Sequence, residues 1–204
     1  MKFIKAKTKI ITVITVLCCF SFATVKVVAN SKATTSSSKT VSVTPGKVYE
    51  IIEIASANSG KMTNFFFNDD NGNRHSLLDV TAGKYTFLNF WGTWCPPCRA
   101  DSPTLIELQK ELESEGLIII GIAMERGANP METVSTYSRN RNLNYINFVS
   151  SREMIGNLAQ TFGGINAVPT TFLVNKSGEI FERFPMNVAR SKEQFKVRID
   201  KMMK

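Results

Sequence analysis

Two kinds of hydrophobic pattern alternate along the chain. Tyr85–Phe90 (YTFLNF) and Leu117–Ala123 (LIIIGIA) are unbroken apolar runs of strand length, the pattern of strands covered on both faces in a parallel sheet. Between them Leu105, Leu108 and Leu112 recur at helical spacing, and Gly116 ends the helix. That order predicts a β–α–β unit. Helical patterns return over Pro130–Asn140 and over Arg152–Phe162, where Met154, Ile155, Leu158 and Phe162 share a face. Thr170–Val174 and Glu179–Phe184 flank Asn175-Lys-Ser-Gly178, a hairpin signal. This also explains the Asn-Lys-Ser glycosylation match at Asn175 as a turn. Val48–Ile54 and Asn64–Phe67 read as short strands, with Asn68–Gly72 as a turn. A last helix opens at Ser191, with Gln194 as its capping-box partner, and buries Phe195, Ile199 and Met202. The fold class is therefore α/β.

The front of the chain reads as an address. Lys2, Lys5, Lys7 and Lys9 precede Ile10–Val25, which is apolar or Ser/Thr throughout. This is the basic start and hydrophobic middle of an export signal. A membrane-spanning helix wants ~20 apolar residues, and Lys26 interrupts this run earlier. Val27-Val28-Ala29 offers a cleavage point, so a cleaved signal is favoured, with an uncleaved anchor as the alternative. In both cases the lysines stay inside and the rest of the chain is exported. Cys18 and Cys19 fit as two apolar residues of that segment. Residues 30–46, rich in Ser, Thr and Lys, read as a flexible spacer. Residues 47–204, about 150 in number, suit one domain with one core. The division is thus 1–29 leader, 30–46 linker and 47–204 domain.

Charge changes the picture little. The formal charge is +8, and without the five leader lysines it is +3. No basic stripe interleaved with aromatics is visible, so nucleic acid is not an expected partner. Of four cysteines, two lie in the leader, which leaves Cys95 and Cys98. One close-spaced pair in an exported domain is not a structural disulfide framework.

The chemistry centres on Trp94-Cys95-Pro96-Pro97-Cys98, placed where a buried strand hands over to a helix. Unpaired N–H groups and the positive end of the helix dipole favour a thiolate at the first cysteine. A thiolate attacks disulfides, so the pair suits thiol–disulfide exchange. Pro96 and Pro97 suit the first helical turn and stiffen the ring, but they also remove two amide donors. The net effect on the thiol is open at this level. A zinc site would need further ligands, and His75 is the only histidine. Haem attachment would need His after Cys98, where Arg99 stands. His75 itself, in Asn73-Arg-His-Ser76, reads as a surface-loop residue. Trp91 reads as core and Trp94 as a shield for the cysteine. Pro103 reads as a helix kink.

Asn89-Phe-Trp-Gly-Thr-Trp-Cys-Pro-Pro-Cys-Arg99, Pro103 and Val168-Pro169-Thr170 together resemble the thioredoxin superfamily. More narrowly, the chain is similar to exported, often membrane-tethered thiol–disulfide oxidoreductases related to the cytochrome c maturation reductases. The resemblance runs from about Met62 to the C-terminus. It implies a thioredoxin-like fold, a central mixed sheet flanked by helices, with an N-terminal hairpin extension and a βα insertion. It implies Cys95 as the exposed nucleophile, Cys98 as the resolving thiol, and no cofactor beyond their redox-active disulfide. It implies that Pro169 follows a cis peptide bond and faces the cysteines, a trans loop proline being the alternative. The backbone of Val168 would then pair with an extended substrate, beside Trp94 and Pro96. Asp101 stands where these reductases carry Glu, a proton relay, and its charge should raise the thiol pKa values. The other reading of Asp101 is a favourable acid in the first helical turns. Asn89 stands where ordinary thioredoxins have a buried acid.

The expected function is reduction of disulfides in partner proteins outside the cytoplasm, by a monomer, with electrons from a membrane thiol donor. Apocytochrome c is one client implied by the resemblance. A disulfide-forming oxidant, a thiol peroxidase on the same fold and a binding module with an inert disulfide are the alternatives.

Overall fold

The computed structural model describes residues 41–185 and 191–204. The leader, Cys18, Cys19 and residues 30–40 of the expected spacer lie outside the described residues.

A six-stranded sheet runs in the order β1 (Val48–Glu50), β7 (Ile146–Val149), β6 (Leu117–Ala123), β5 (Tyr85–Trp91), β8 (Thr170–Val174), β9 (Ile180–Phe184). The first four are mutually parallel, and β8 and β9 are antiparallel to their neighbours, so the sheet is mixed. The thioredoxin-like architecture expected from the sequence is the one found. Strands β5 and β6 are buried almost throughout, as their unbroken apolar runs require. Helix α2 (Pro96–Leu112) connects them, and Gly116 closes the connection with φ +92°, a left-handed conformation that costs glycine nothing. Helices α3 (Pro130–Arg141) and α4 (Arg152–Thr161) flank β7 in sequence, between the first βαβ unit and the final hairpin, where the extra strand and helix are expected. The β8–β9 turn is held by Asn175, whose Oδ1 accepts the N–H groups of Ser177 and Glu179, both at 3.0 Å. Helix α5 (Lys192–Met203) begins with the Ser191–Gln194 capping box and buries Phe195, Ile199 and Met202.

The run Val48–Ile54 forms two strands rather than one. Ile51 N–H bonds to Val149 of the large sheet, and Ile52 N–H bonds to Phe66 on the opposite side. Successive amides of an extended chain point opposite ways, so β1 joins the large sheet while β2 (Glu53–Ile54) begins a second. That sheet adds β3 (Phe65–Asn68) and β4 (Arg74–Ser76), both antiparallel. The short helix α1 (Leu77–Thr81) follows, capped by Ser76. Phe148 on β7 ties the two sheets together. Its ring centroid lies 4.8 Å from that of Phe65 and 5.0 Å from that of Phe67, both edge-on.

Two expectations are corrected here. His75 is not in a surface loop: it is 6 % exposed, lies on β4 opposite Phe67, and its Nε2 is 3.1 Å from Asp69 Oδ2. The spacer also ends before residue 46. Ser42 N–H donates to Asp69 and Thr44 N–H to the Tyr49 hydroxyl, while Val41 and Val43 pack on the core. Apolar valines between the polar residues supply a half-buried face that composition alone conceals. Thr44, Lys47 and Tyr49 all reach Asp70. Burial, opposed by the Thr44 amide and aided by Asp70, pushes the Tyr49 hydroxyl up to about 12.

Burial pushes the Asp69 carboxyl up, but the amides of Asn73, Ser42 and Asn71, with His75, outweigh it and hold the carboxyl below its ordinary value. A depressed carboxylate stabilises the fold above its unfolded pKa and loses that contribution as pH falls through its folded pKa. Asp69→Ala should therefore lower the urea midpoint at neutral pH, with the gap to wild type narrowing below about pH 4. A gap independent of pH would show that the charge contributes nothing. Phe148→Ala should cost about 3–5 kcal/mol in urea unfolding.

Candidate functional site

The site is built where β5 ends and α2 begins. Gly92 follows the strand, and a Cβ there would collide with the Trp94 indole, which folds back over it. Trp94 is 37 % exposed and donates from Nε1 to the Met124 carbonyl at 2.9 Å. Thr93 is fixed by Glu125, which accepts both its N–H (2.7 Å) and its hydroxyl (3.0 Å). Trp91, by contrast, is core and donates to Asn147 Oδ1 at 3.0 Å.

Cys95 is the N-cap of α2, and its amides and their neighbours can be fully accounted for. Cys95 N–H bonds to Gly92, and Arg99 N–H makes the first helical bond, back to Cys95. Pro96 and Pro97 occupy the first two helical positions and have no N–H. The one orphan amide left is that of Cys98, and it donates to Cys95 Sγ at 3.3 Å. The sulfur thus takes the place of a capping oxygen. Cys95 and Cys98 are joined as a disulfide, with Cα atoms 5.3 Å apart. Val168 faces the pair from β8's side: its carbonyl oxygen lies 3.5 Å from Cys95 Sγ, a place where a reduced thiol could donate. The Val168–Pro169 bond is cis.

The structure therefore brings Cys95, Cys98, Trp94, Pro96, Val168 and Pro169 together. It does not make Cys95 the more exposed cysteine. Both are 2 % exposed, and the Cys95 sulfur lies between the Cys98 amide and the Val168 carbonyl. A groove lined by Trp94 and Val168, the residues on either side of the Cys95 sulfur, lies beside the pair.

Asp101 lies one turn beyond Cys98 and is 5 % exposed. Next to it, Ser102 Oγ donates to the Cys98 carbonyl (3.2 Å) and lies 3.3 Å from the Tyr137 hydroxyl. Burial raises the Tyr145 hydroxyl well above its ordinary value, a hydrogen bond with Ser102 opposes it, and the charges of Tyr137 and Asp101 add to the rise. Asp101 thus belongs to a buried polar cluster at the base of the cysteines. Pro103 lies inside α2 and removes the amide that would have bonded Arg99. Asn89 is buried and accepts from the Thr171 hydroxyl at 3.0 Å. Among the described residues no three His, Cys, Asp or Glu side chains gather so as to hold a metal ion.

Glu125 and Arg126 were not singled out by the sequence, although a signal exists. They follow β6, and β5 and β6 are parallel, so the segments after both strands emerge at the same sheet edge. The Arg126 guanidinium lies 3.5 Å from the Trp94 ring centroid.

Residues 59–183 match the AhpC/TSA family, more than half of the chain. The thiol-disulfide oxidoreductase ResA of Geobacillus thermodenitrificans (strain NG80-2) is 31% identical over 116 residues, 57% of this chain and 62% of that protein. The chain thus spans about three fifths of the length of the curated relatives it first matches. ResA of Bacillus thuringiensis subsp. konkukian (strain 97-27) is 31% identical over 140 residues, 68% of this chain and 75% of that protein. A crystal structure of a thiol:disulfide interchange protein from Chlorobium tepidum TLS superposes with a TM-score of 0.60 at 26% identity, covering 74% of this chain and all of that one.

A negative charge near a thiol disfavours the thiolate, so Asp101→Asn should move the pH profile of alkylation of the reduced pair to lower pH. Iodoacetamide kinetics across pH read this directly, and an unchanged profile would remove Asp101 from the site.

Proposed function

Because the chain belongs to the AhpC/TSA family, and a disulfide caps the helix at its sheet edge, we propose that it is a thiol–disulfide oxidoreductase that reduces disulfides in partner proteins. The observation that carries this reading is the lone Cys98 amide aimed at Cys95 Sγ. An amide at that place favours sulfur as an anion, and an anionic sulfur is the nucleophile of exchange.

Cys95 thiolate attacks one sulfur of the client disulfide, forming a mixed disulfide and releasing the first client sulfur, which takes up a proton. Cys98 then loses its proton and attacks Cys95 Sγ, closing the disulfide and releasing the second client sulfur, which is protonated in turn. Two electrons and two protons pass from the dithiol to the client. A membrane-bound dithiol protein, by the same exchange in reverse, returns the pair to its reduced form. Asp101, in the buried cluster below Cys98, would take and return the second proton. Trp94, Pro96 and the backbone of Val168 before cis Pro169 would hold the client.

The reducing direction is supported by the two prolines. A dithiol becomes a strong oxidant when its reduced form is stabilised. Here Pro96 and Pro97 leave one amide where an ordinary helix start would present more, so the thiolate is stabilised only modestly and gives up electrons readily. The basic, then apolar, first 25 residues support action outside the cytoplasm, with the chain exported by its leader.

Cys98→Ser leaves the attacking sulfur without its resolving partner. In native cells this variant should accumulate mixed disulfides through Cys95, visible as reductant-sensitive bands on non-reducing gels, and lose turnover. A folded, exported variant that traps no partner would overturn the mechanism.

A further inference from the structure

Beside the cysteines, a groove of about 310 Å³ runs between Trp94 and Val168, with Ile155 and Ile165 among its apolar lining. Arg126 and Arg152 stand on its wall, and both are exposed. Among the described residues neither guanidinium has a carboxylate partner. The Arg126 guanidinium lies over the Trp94 ring, and Arg152 donates to the Arg126 carbonyl at 2.6 Å. Arg152 is thereby tied to the backbone of Arg126, whose guanidinium lies against the residue that precedes Cys95. Glu125 also lines the groove, but both of its oxygens are engaged by Thr93. A guanidinium packed on an indole can still direct N–H groups to a carboxylate, and its fork suits bidentate recognition of that planar group.

We infer that this groove binds an acidic side chain of the client polypeptide close to its disulfide, with Arg126 and Arg152 as the residues that select it. The inference rests on the proposed exchange reaction and names the chemistry of its substrate. An apolar floor with two cations that have no carboxylate partner among the described residues fits a segment that carries an aliphatic side chain and a carboxylate together. A strand held against the Val168 backbone projects alternate side chains to one face, so one such face would meet the floor while a neighbouring carboxylate meets the arginines. The charges also steer such a client toward Cys95 before contact.

The test uses the reduced full-length protein and two short synthetic peptides, each closed by one disulfide and identical except for Glu or Gln next to a cysteine. Wild type should reduce the Glu peptide about five- to tenfold faster in kcat/KM at low salt, the range of one charge-assisted hydrogen bond at a partly exposed site. Arg126→Gln and, separately, Arg152→Gln should bring the ratio toward one, and added salt should do the same to wild type. Arg152→Gln disturbs no ring stacking, so it keeps the test valid if Arg126→Gln folds poorly. Equal rates in wild type, or a preference that survives both substitutions, would overturn the inference while leaving the exchange reading intact. An arginine-dependent preference seen only with the small dianionic disulfide dithiobis(nitrobenzoate) would also overturn it, assigning the groove to small molecules. Wild type that reduces neither peptide overturns the exchange reading itself, and this inference with it.

Discussion

The organisation of the site depends on one hydrogen bond, from the Cys98 amide to Cys95 Sγ. A helix start normally leaves several amides without partners. Here one is used by Gly92, two are deleted by proline, and the last is directed at sulfur. The three-residue spacing at the helix start places the two sulfurs within one turn, joined as a disulfide, with Cys95 at the N-cap after β5. The prolines beside it leave no second amide of the first turn to reach that sulfur.

Sheet topology determines what else reaches that edge. Parallel β5 and β6 bring Trp94 from one connection and Met124, Glu125 and Arg126 from the next to the same side. Antiparallel β8 enters the sheet there with its N-terminal end, since Thr170 pairs with Phe90. Val168 and Pro169 therefore arrive opposite Cys95 from a distance of 73 residues along the chain. Glu125 then secures Thr93, and Gly92 makes room for the indole. The arginine pair on the groove wall follows from these placements: Arg126 rides on Trp94, and Arg152 opens α4 within reach of its carbonyl.

Much of this fold was legible because burial on both faces writes itself as unbroken apolar runs. Leu117–Ala123 is a strand with those bounds, and Ser191 and Gln194 cap the last helix as their spacing requires. The misreadings share a cause. Val48–Ile54 looks uniform, yet its amides serve two different sheets. His75 sits among polar neighbours in sequence, yet its strand turns it toward Asp69 and Phe67. Val41 and Val43 are diluted by Ser and Thr, yet they cover the core. In each case local composition is silent about which partner lies across the gap.

The sequence by itself determined the helix-capping cysteine pair, the prolines that strip its amides, and the strands and helices that carry it. These depend on neighbours within about one helical turn or on the period of apolar residues, and both are written along the chain. Only the tertiary structure decided that Cys95 is covered rather than open, that Val168 lies against its sulfur, and that two arginines share a groove with Trp94. Those are contacts between residues far apart in order. Their geometry is set by how strands pair and which way each one runs, which no local pattern records.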